Sequence, residues 1–173
     1  MLAERVSRME STAATQAQGR VVRVDTHLGK FSQGCTVLLT ALAFVLNAPW
    51  LVVVTAIVMA LSALVPAMSP YRLLYKWAVV PLGILRPRMV EDDPAPHRFA
   101  QGVGAVFLIA ASILLLLTKA TAVGWALDLI VFVLAGINLT VGFCAGCFVY
   151  YHLGRLGLLP RVRYEGGFHW RGV

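Results

Sequence analysis

Two cysteines separated by two residues are the part of this chain best equipped for chemistry. Cys144 and Cys147 stand where the last long apolar segment gives way to a basic tail. With a two-residue gap, the two sulfur atoms can bond to each other, or both can reach the same metal ion or the same substrate sulfur. The third cysteine is Cys35. The pattern predicts thiol–disulfide exchange or sulfur transfer, with Cys144 and Cys147 as the redox pair and Cys35 as a third, resolving thiol.

A metal site on the same thiols is a second interpretation. A closed zinc site takes four ligands, and the candidates are Cys144, Cys147 and His97. Cys35 and His27 or His152 would have to converge on them to complete the set, and only the Cys-x-x-Cys has ligand spacing. The acidic run Glu91-Asp92-Asp93 is a weaker cation candidate together with His97. We interpret that run as a solvated acidic turn paired with nearby arginines, which are Arg86, Arg88 and Arg98.

Packing is the third interpretation of the cysteine region. Gly142 and Gly146 form a G-x-x-x-G, which lets helices approach closely, and free cysteine is itself small and often buried. If the apolar helix ends at the pair, its negative C-terminal end disfavours a thiolate. That effect is reversed if Gly142 and Gly146 break the helix and a new one starts. The sequence leaves these alternatives open.

The elements that must position these residues are membrane helices. Of the 173 residues, 59% are hydrophobic and only 13% are charged, about half the roughly 25% typical of soluble domains. The predicted fold class is an all-α membrane protein, with four transmembrane helices in two tandem helical hairpins and both termini cytoplasmic. The predicted spans are residues 31–48, 50–67, 99–118 and 124–143, with an interfacial helix over residues 71–80.

Domain organisation follows from these spans. Residues 1–23 are predicted to form a mobile arm, residues 24–155 the membrane domain and residues 156–173 a basic cytoplasmic tail. Asn47 and Pro49 predict a tight turn between the first two spans. One long kinked helix is the alternative there, but it would be too long for a bilayer without a strong tilt.

The basic residues indicate the orientation. Of the 15 Lys and Arg residues, only Lys119 falls at a hairpin tip, and the others flank the opposite ends of the spans. The positive-inside rule therefore predicts a multi-pass protein of the bacterial inner (cytoplasmic) membrane. The net charge of +7 suits the lipid bilayer as a partner. No nucleic-acid partner is expected, because no dense basic run carries interleaved aromatic residues.

The chain contains an internal repeat. Phe31-Ser32-Gln33-Gly34 opens the first predicted span and Phe99-Ala100-Gln101-Gly102 opens the third. Each block follows a basic residue, and each precedes a hairpin with one tryptophan. This pattern predicts a duplicated two-helix unit, with parallel repeats related by an axis along the membrane normal.

Two polar residues fall inside the fourth span. Asp128 is expected near its outer end, where it reaches water or Lys119, and Asn138 is expected to bond to a neighbouring helix. The sequence lacks a chain of intramembrane carboxylates, which argues against a proton pump or ion transporter.

Several of these motifs together resemble a known family. Ser69-Pro70-Tyr71, the block from Pro96 to Gly104, Asn138-Leu139 and the block from Gly142 to Cys147 are similar to a bacterial integral membrane family, domain of unknown function 4395. The resemblance covers about Val24 to Arg155. The family pattern places Leu-Gly between the cysteines, where this chain has Ala145-Gly146.

The resemblance implies a class of partner rather than a mechanism. The resemblance suggests association with rhodanese-like or thioredoxin-like cytoplasmic proteins. Such an association favours sulfur or thiol chemistry. The alternative function is a non-catalytic accessory or scaffold subunit bound to other membrane subunits. No cofactor follows from the sequence.

Overall fold

The computed structural model describes residues 22–83, 89–118 and 120–159. The parts of the predicted arm and tail in residues 1–21 and 160–173 lie outside them. The strands are β1 (Val22–Asp25) and β2 (Met89–Asp92). The helices are α1 (Thr26–Val45), α2 (Pro49–Leu64), α3 (Pro70–Leu74), α4 (Pro94–Leu117), α5 (Thr121–Val141) and α6 (Ala145–Arg155). A 3-10 turn, Pro66–Met68, precedes α3, and a π-helical turn, Tyr75–Val79, extends it.

Three of the helices have the length and apolar composition to cross a membrane. These are α1, α4 and α5, with 20, 24 and 21 residues. Helix α2 is apolar but has 16 residues, about 24 Å at 1.5 Å per residue. The helical membrane character agrees with the predicted fold class, while the β1–β2 ribbon was not anticipated.

Both hairpins turn within a few residues. Helix α1 ends at Val45, Asn47 adopts a left-handed backbone conformation with φ 47°, and Pro49 opens α2. Asn tolerates this conformation better than most residues, and Pro suits the first helical turn. The chain therefore makes two helices here, and the alternative of one kinked helix is wrong.

The two hairpins interlock. The first helix of each hairpin packs on the second helix of the other, so that α1 lies against α5 and α2 against α4. The buried centre is made of small and branched apolar residues. Among them are Ala43, Val52, Ala56, Ala105, Leu108, Ala111 and Val131.

The internal repeat extends beyond the two sequence blocks. Asp25 caps α1 by accepting from the backbone N–H of His27 at 3.0 Å, and Asp93 caps α4 by accepting from that of Ala95 at 2.9 Å. The strands that precede these caps pair with each other in antiparallel register. Both units therefore start with a strand, an aspartate cap and a long apolar helix.

The end of each unit is also alike. Phe31 packs on Tyr75 with ring centroids 5.6 Å apart, and Phe99 packs on Tyr150 at 5.4 Å. A short helix follows Ser69 in the first unit and Cys144 in the second. In both units the tyrosine lies six residues after this N-cap residue. Only the second unit carries the thiol pair at this position.

The acidic run is a strand and a cap rather than a solvated turn, because its backbone pairs with β1. Glu91 lies in β2 opposite Arg23, and Asp93 is buried at the start of α4. Arg98 donates to the backbone carbonyls of Ala63 and Leu64 at 3.1 and 3.5 Å, at the C-terminal end of α2, where a cation is favoured. Arg86 and Arg88 lie outside the described residues.

Asp128 is buried rather than near water. Its relative exposure is 0%, and neither carboxyl oxygen has a hydrogen-bond partner within the described part of the chain. The expected contact with water is therefore wrong, because α5 turns this residue toward the neighbouring helices. Lys119, its expected partner, lies outside the described residues.

An apolar replacement of Asp128 should stabilise the protein. We expect Asp128→Val to raise the free energy of unfolding by about 1–3 kcal/mol, because a buried carboxyl group with no hydrogen-bond partner among the described residues loses its hydration without compensation from them. Thermal unfolding in detergent, followed by helical circular dichroism, measures the change. Asp128→Asn is the matched control. It should raise the free energy of unfolding less than Asp128→Val, since it keeps a polar group at this position. A lower unfolding temperature for Asp128→Val would mean that the carboxyl group holds a stabilising partner.

Candidate functional site: the thiol pair at the start of α6

The thiol pair lies where one helix ends and the next begins. Gly142 closes α5 in the left-handed conformation, with φ 75°, and its N–H donates to the carbonyl of Asn138 at 3.0 Å. Cys144 is extended, with φ −95°, and α6 starts at Ala145. The pair therefore occupies a helix N-terminus, which decides between the two alternatives that the sequence left open. A glycine in the left-handed region ends helices readily, which is the physical reason.

The two sulfur atoms are joined in a disulfide. The Cα atoms of Cys144 and Cys147 are 5.2 Å apart, and both residues already share the first turn of α6. The bond therefore links no distant parts of the chain.

Backbone and burial make the two sulfurs unequal. The N–H of Cys147 points at the Sγ of Cys144 at 3.3 Å, so Cys144 caps the helix through sulfur. Cys144 is 5% exposed, whereas Cys147 is half-buried. A negative charge at a helix N-terminus is stabilised by the unpaired N–H groups and by the helix dipole. The arrangement therefore favours thiolate on Cys144 and access to Cys147.

His97 completes the site from a different helix. It lies in the first turn of α4, four residues after the Asp93 cap. Its Nδ1 is 4.0 Å from the Sγ of Cys147. The ligand atoms of His97, Cys144 and Cys147 all lie within 4.8 Å of one another. An imidazole at this place can take or give a proton, or coordinate a metal, next to both sulfurs.

A close contact between helices brings His97 and the thiols together. A Cβ atom placed on Gly146 would lie 2.7 Å from the Cα of Ala100 and would also collide with its side chain. Only glycine fits at such a distance, so Gly146 lets α6 pack closely on α4. The predicted G-x-x-x-G surface is wrong, because Gly142 ends α5 and Gly146 belongs to α6. Gly146 alone makes the contact.

Tyr150 closes the apolar side of this contact. Its ring packs edge-on against Phe99, and the residue is buried. Burial raises the pKa of Tyr150, and the negative charge of Asp93 raises it further. The phenol is therefore neutral and acts as a packing group with a polar tip.

The family profile described as domain of unknown function (DUF4395) matches residues 24–155. The chain belongs to the DUF4395 family. The resemblance inferred from the sequence is thus confirmed. No curated protein and no solved structure matches this DUF4395 chain significantly.

The structure of the DUF4395 protein brings some of the predicted ligands together and separates others. His97, Cys144 and Cys147, the three metal candidates named from the sequence, lie together. Within the described residues, the group does not include Cys35, which lies on α1 and packs at the edge of the core. His27 and His152 are not part of it either: His152 packs edge-on against Phe148 with ring centroids 4.4 Å apart.

Sequence reasoning missed the residues that hold this DUF4395 site in place. The cap at Asp93 had a readable signal, because an aspartate followed by proline is typical of a helix start. The contact between Ala100 and Gly146 had no signal in the sequence, since these residues meet only through the packing of α4 on α6.

Proposed function

We propose that this protein is an integral membrane thiol–disulfide exchange protein. The observation that carries the proposal is the Cys144–Cys147 disulfide at the N-terminus of α6, with His97 beside it. The proposed partner is a soluble dithiol protein of the thioredoxin-like or rhodanese-like kind. Such a protein can reach the pair only if the pair lies at a membrane surface.

The proposed exchange starts at the more accessible sulfur. A thiolate of the partner attacks the Sγ of Cys147, forming a mixed disulfide and releasing Cys144 as a thiolate. The helix N-terminus and the N–H of Cys147 stabilise that leaving group, which speeds exchange. His97 lies close enough to Cys147 to hold the proton that this sulfur later needs.

The second step balances the reaction. The partner's second thiolate attacks the partner's own sulfur in the mixed disulfide, and Cys147 leaves as a thiolate that takes a proton. Cys144 also takes up a proton, so the partner ends as a disulfide and this protein as a dithiol, and two electrons and two protons have moved from the partner to the Cys144–Cys147 pair. The reverse sequence reoxidises the pair.

The proposed topology places the site at the cytoplasmic face. Four spans in two hairpins put both strands, α3, α6 and the starts of α1 and α4 at one end of the bundle. The described basic residues at that end are Arg23, Lys30, Arg72, Lys76, Arg98 and Arg155. Their accumulation supports a cytoplasmic orientation of this end and of both termini by the positive-inside rule.

Thiol state and sidedness can be measured together. Membrane vesicles of both orientations are treated with a membrane-impermeant maleimide, with and without reductant, and the mass shift is read on a gel. In a Cys35→Ser variant, we expect two labels on Cys144 and Cys147 only after reduction and only from the cytoplasmic face. Oxidation by an added oxidised dithiol protein should remove the labelling again.

The matched control is Cys144→Ser/Cys147→Ser, which keeps only Cys35 and should show no change with reductant. Equal labelling of the pair with and without reductant would contradict the proposed function. So would a pair that never exchanges disulfides with any added dithiol protein. Labelling only from the opposite face would contradict the proposed orientation.

A further inference from the structure

We infer that the reduced site binds a zinc ion through three ligands, Cys144 Sγ, Cys147 Sγ and His97 Nδ1, with a fourth position open. The inference rests on the same cysteines as the proposed function and requires them in the dithiol form. It adds a second stable state to the site, in which the thiols are held by a metal rather than by each other.

The geometry needs only a small adjustment. In a tetrahedral zinc site with Zn–S near 2.3 Å and Zn–N near 2.0 Å, ligand atoms stand about 3.5–3.8 Å apart. The three ligand atoms here lie within 4.8 Å of one another, and His97 Nδ1 is 4.0 Å from Cys147 Sγ. Breaking the S–S bond lets the sulfurs separate toward the required distance, while the imidazole approaches by rotating its side chain.

The charges also match. Two thiolates neutralise the ion's two positive charges, and a neutral imidazole adds none. Binding therefore converts Zn²⁺ and two thiols into a neutral Zn-dithiolate and releases two protons. A neutral site suits a position that is partly buried, where a net charge loses some of its hydration.

The surroundings of the ligands suit a metal centre. The N–H of Cys147 already points at the Sγ of Cys144, and N–H groups directed at a metal-bound sulfur stabilise its charge. Two cysteines separated by two residues at the start of a helix are a common half of a zinc site. The described part of the chain supplies three ligands, so water or a substrate thiol would take the fourth position.

Zinc would then control the exchange chemistry. Zinc would slow closure of the disulfide, because each thiolate shares electron density with the ion and is a weaker nucleophile while it is bound. Oxidation of the pair would expel the ion. The site would thus alternate between a metal-loaded reduced form and a metal-free oxidised form.

Cobalt titration tests the inference. The full-length protein in detergent is reduced with a phosphine, kept anaerobic and titrated with Co²⁺, which replaces zinc and is visible spectroscopically. We expect one equivalent to give a thiolate-to-cobalt charge-transfer band and the visible bands of a tetrahedral ion. Zn²⁺ should remove both signals with release of the cobalt.

Variants assign the ligands. Cys144→Ser and Cys147→Ser should abolish the charge-transfer band or strongly weaken it. His97→Ala should weaken zinc binding more than about tenfold, because even residues behind a ligand are worth 10–100-fold in affinity. His152→Ala is the matched control: it removes a histidine of α6 that packs edge-on against Phe148, and it should bind like wild type.

The outcomes separate this inference from the proposed function. No tetrahedral cobalt spectrum in wild type, or equal affinity of His97→Ala and wild type, overturns the three-ligand site. Disulfide exchange with a dithiol protein in that same sample would leave the proposed function intact. A bound metal in a protein that never exchanges disulfides would support the zinc site and overturn the exchange function.

Discussion

Gly146→Ala is expected to separate α6 from α4 and to lower the free energy of unfolding by about 1–3 kcal/mol, the usual cost of overpacking. The added Cβ would collide with Ala100, including its backbone Cα at 2.7 Å. A backbone atom cannot move aside as the end of a side chain can, so the helices must part. Since His97 lies on α4 and the thiols lie on α6, the same change should also withdraw the imidazole from the sulfurs.

Gly104→Ala is the matched control for this prediction. It makes the same chemical change within α4, but the new Cβ would meet chiefly the terminal methyl group of Met59, at 2.6 Å. That end of the side chain can rotate away, and alanine is the better helix former. We expect Gly104→Ala to unfold near the wild-type temperature and Gly146→Ala well below it, in detergent-solubilised protein. Equal unfolding temperatures would mean that the contact between Gly146 and Ala100 is not tight.

The second large effect is expected in covalent trapping. Cys144→Ser leaves the more accessible Cys147 without its resolving partner, so a mixed disulfide with a dithiol protein should accumulate. Cys147→Ser leaves the 5% exposed Cys144, which a partner reaches poorly. We expect at least about tenfold more trapped complex from Cys144→Ser, judged by non-reducing gels after mixing with a dithiol protein whose resolving cysteine is replaced by serine and whose remaining thiol is activated as a mixed disulfide, because an intact partner's second thiol would release Cys147 again.

The trapping experiment carries its own check. Denatured samples of both variants should react equally with the same disulfide reagent, since burial then no longer distinguishes the two thiols. More complex from Cys147→Ser than from Cys144→Ser would reverse the proposed order of attack and make Cys144 the sulfur that partners reach.

The sequence was sufficient for the parts of this protein that depend on composition and local pattern. Charge content and long apolar segments predict the membrane helices, and Asn47 with Pro49 predicts the first hairpin turn. The Cys-x-x-Cys was found from spacing alone. These features depend on neighbours in the chain, which is why they can be inferred without tertiary structure.

The helix restart before Cys144 was harder to infer, because cysteine is not among the usual capping residues. Gly142 gave a signal, but a glycine in an apolar segment also suits close helix packing. The burial of Asp128 and the approach of His97 to the thiols depend on how helices rotate against one another. Hydrophobic pattern constrains that rotation weakly when nearly every face of a helix is apolar.

The interlocked hairpins have a consequence for how the protein is made. Helix α1 finds its partner α5, and α2 finds α4, only after the second half of the chain has been synthesised. The first hairpin must therefore wait in the lipid with its packing surfaces filled by acyl chains or by other proteins. Because α6 docks on α4 as one of the last of the described elements, the thiols and His97 meet only in a nearly complete polypeptide. An unfinished chain therefore lacks the assembled site, whatever the redox conditions around it.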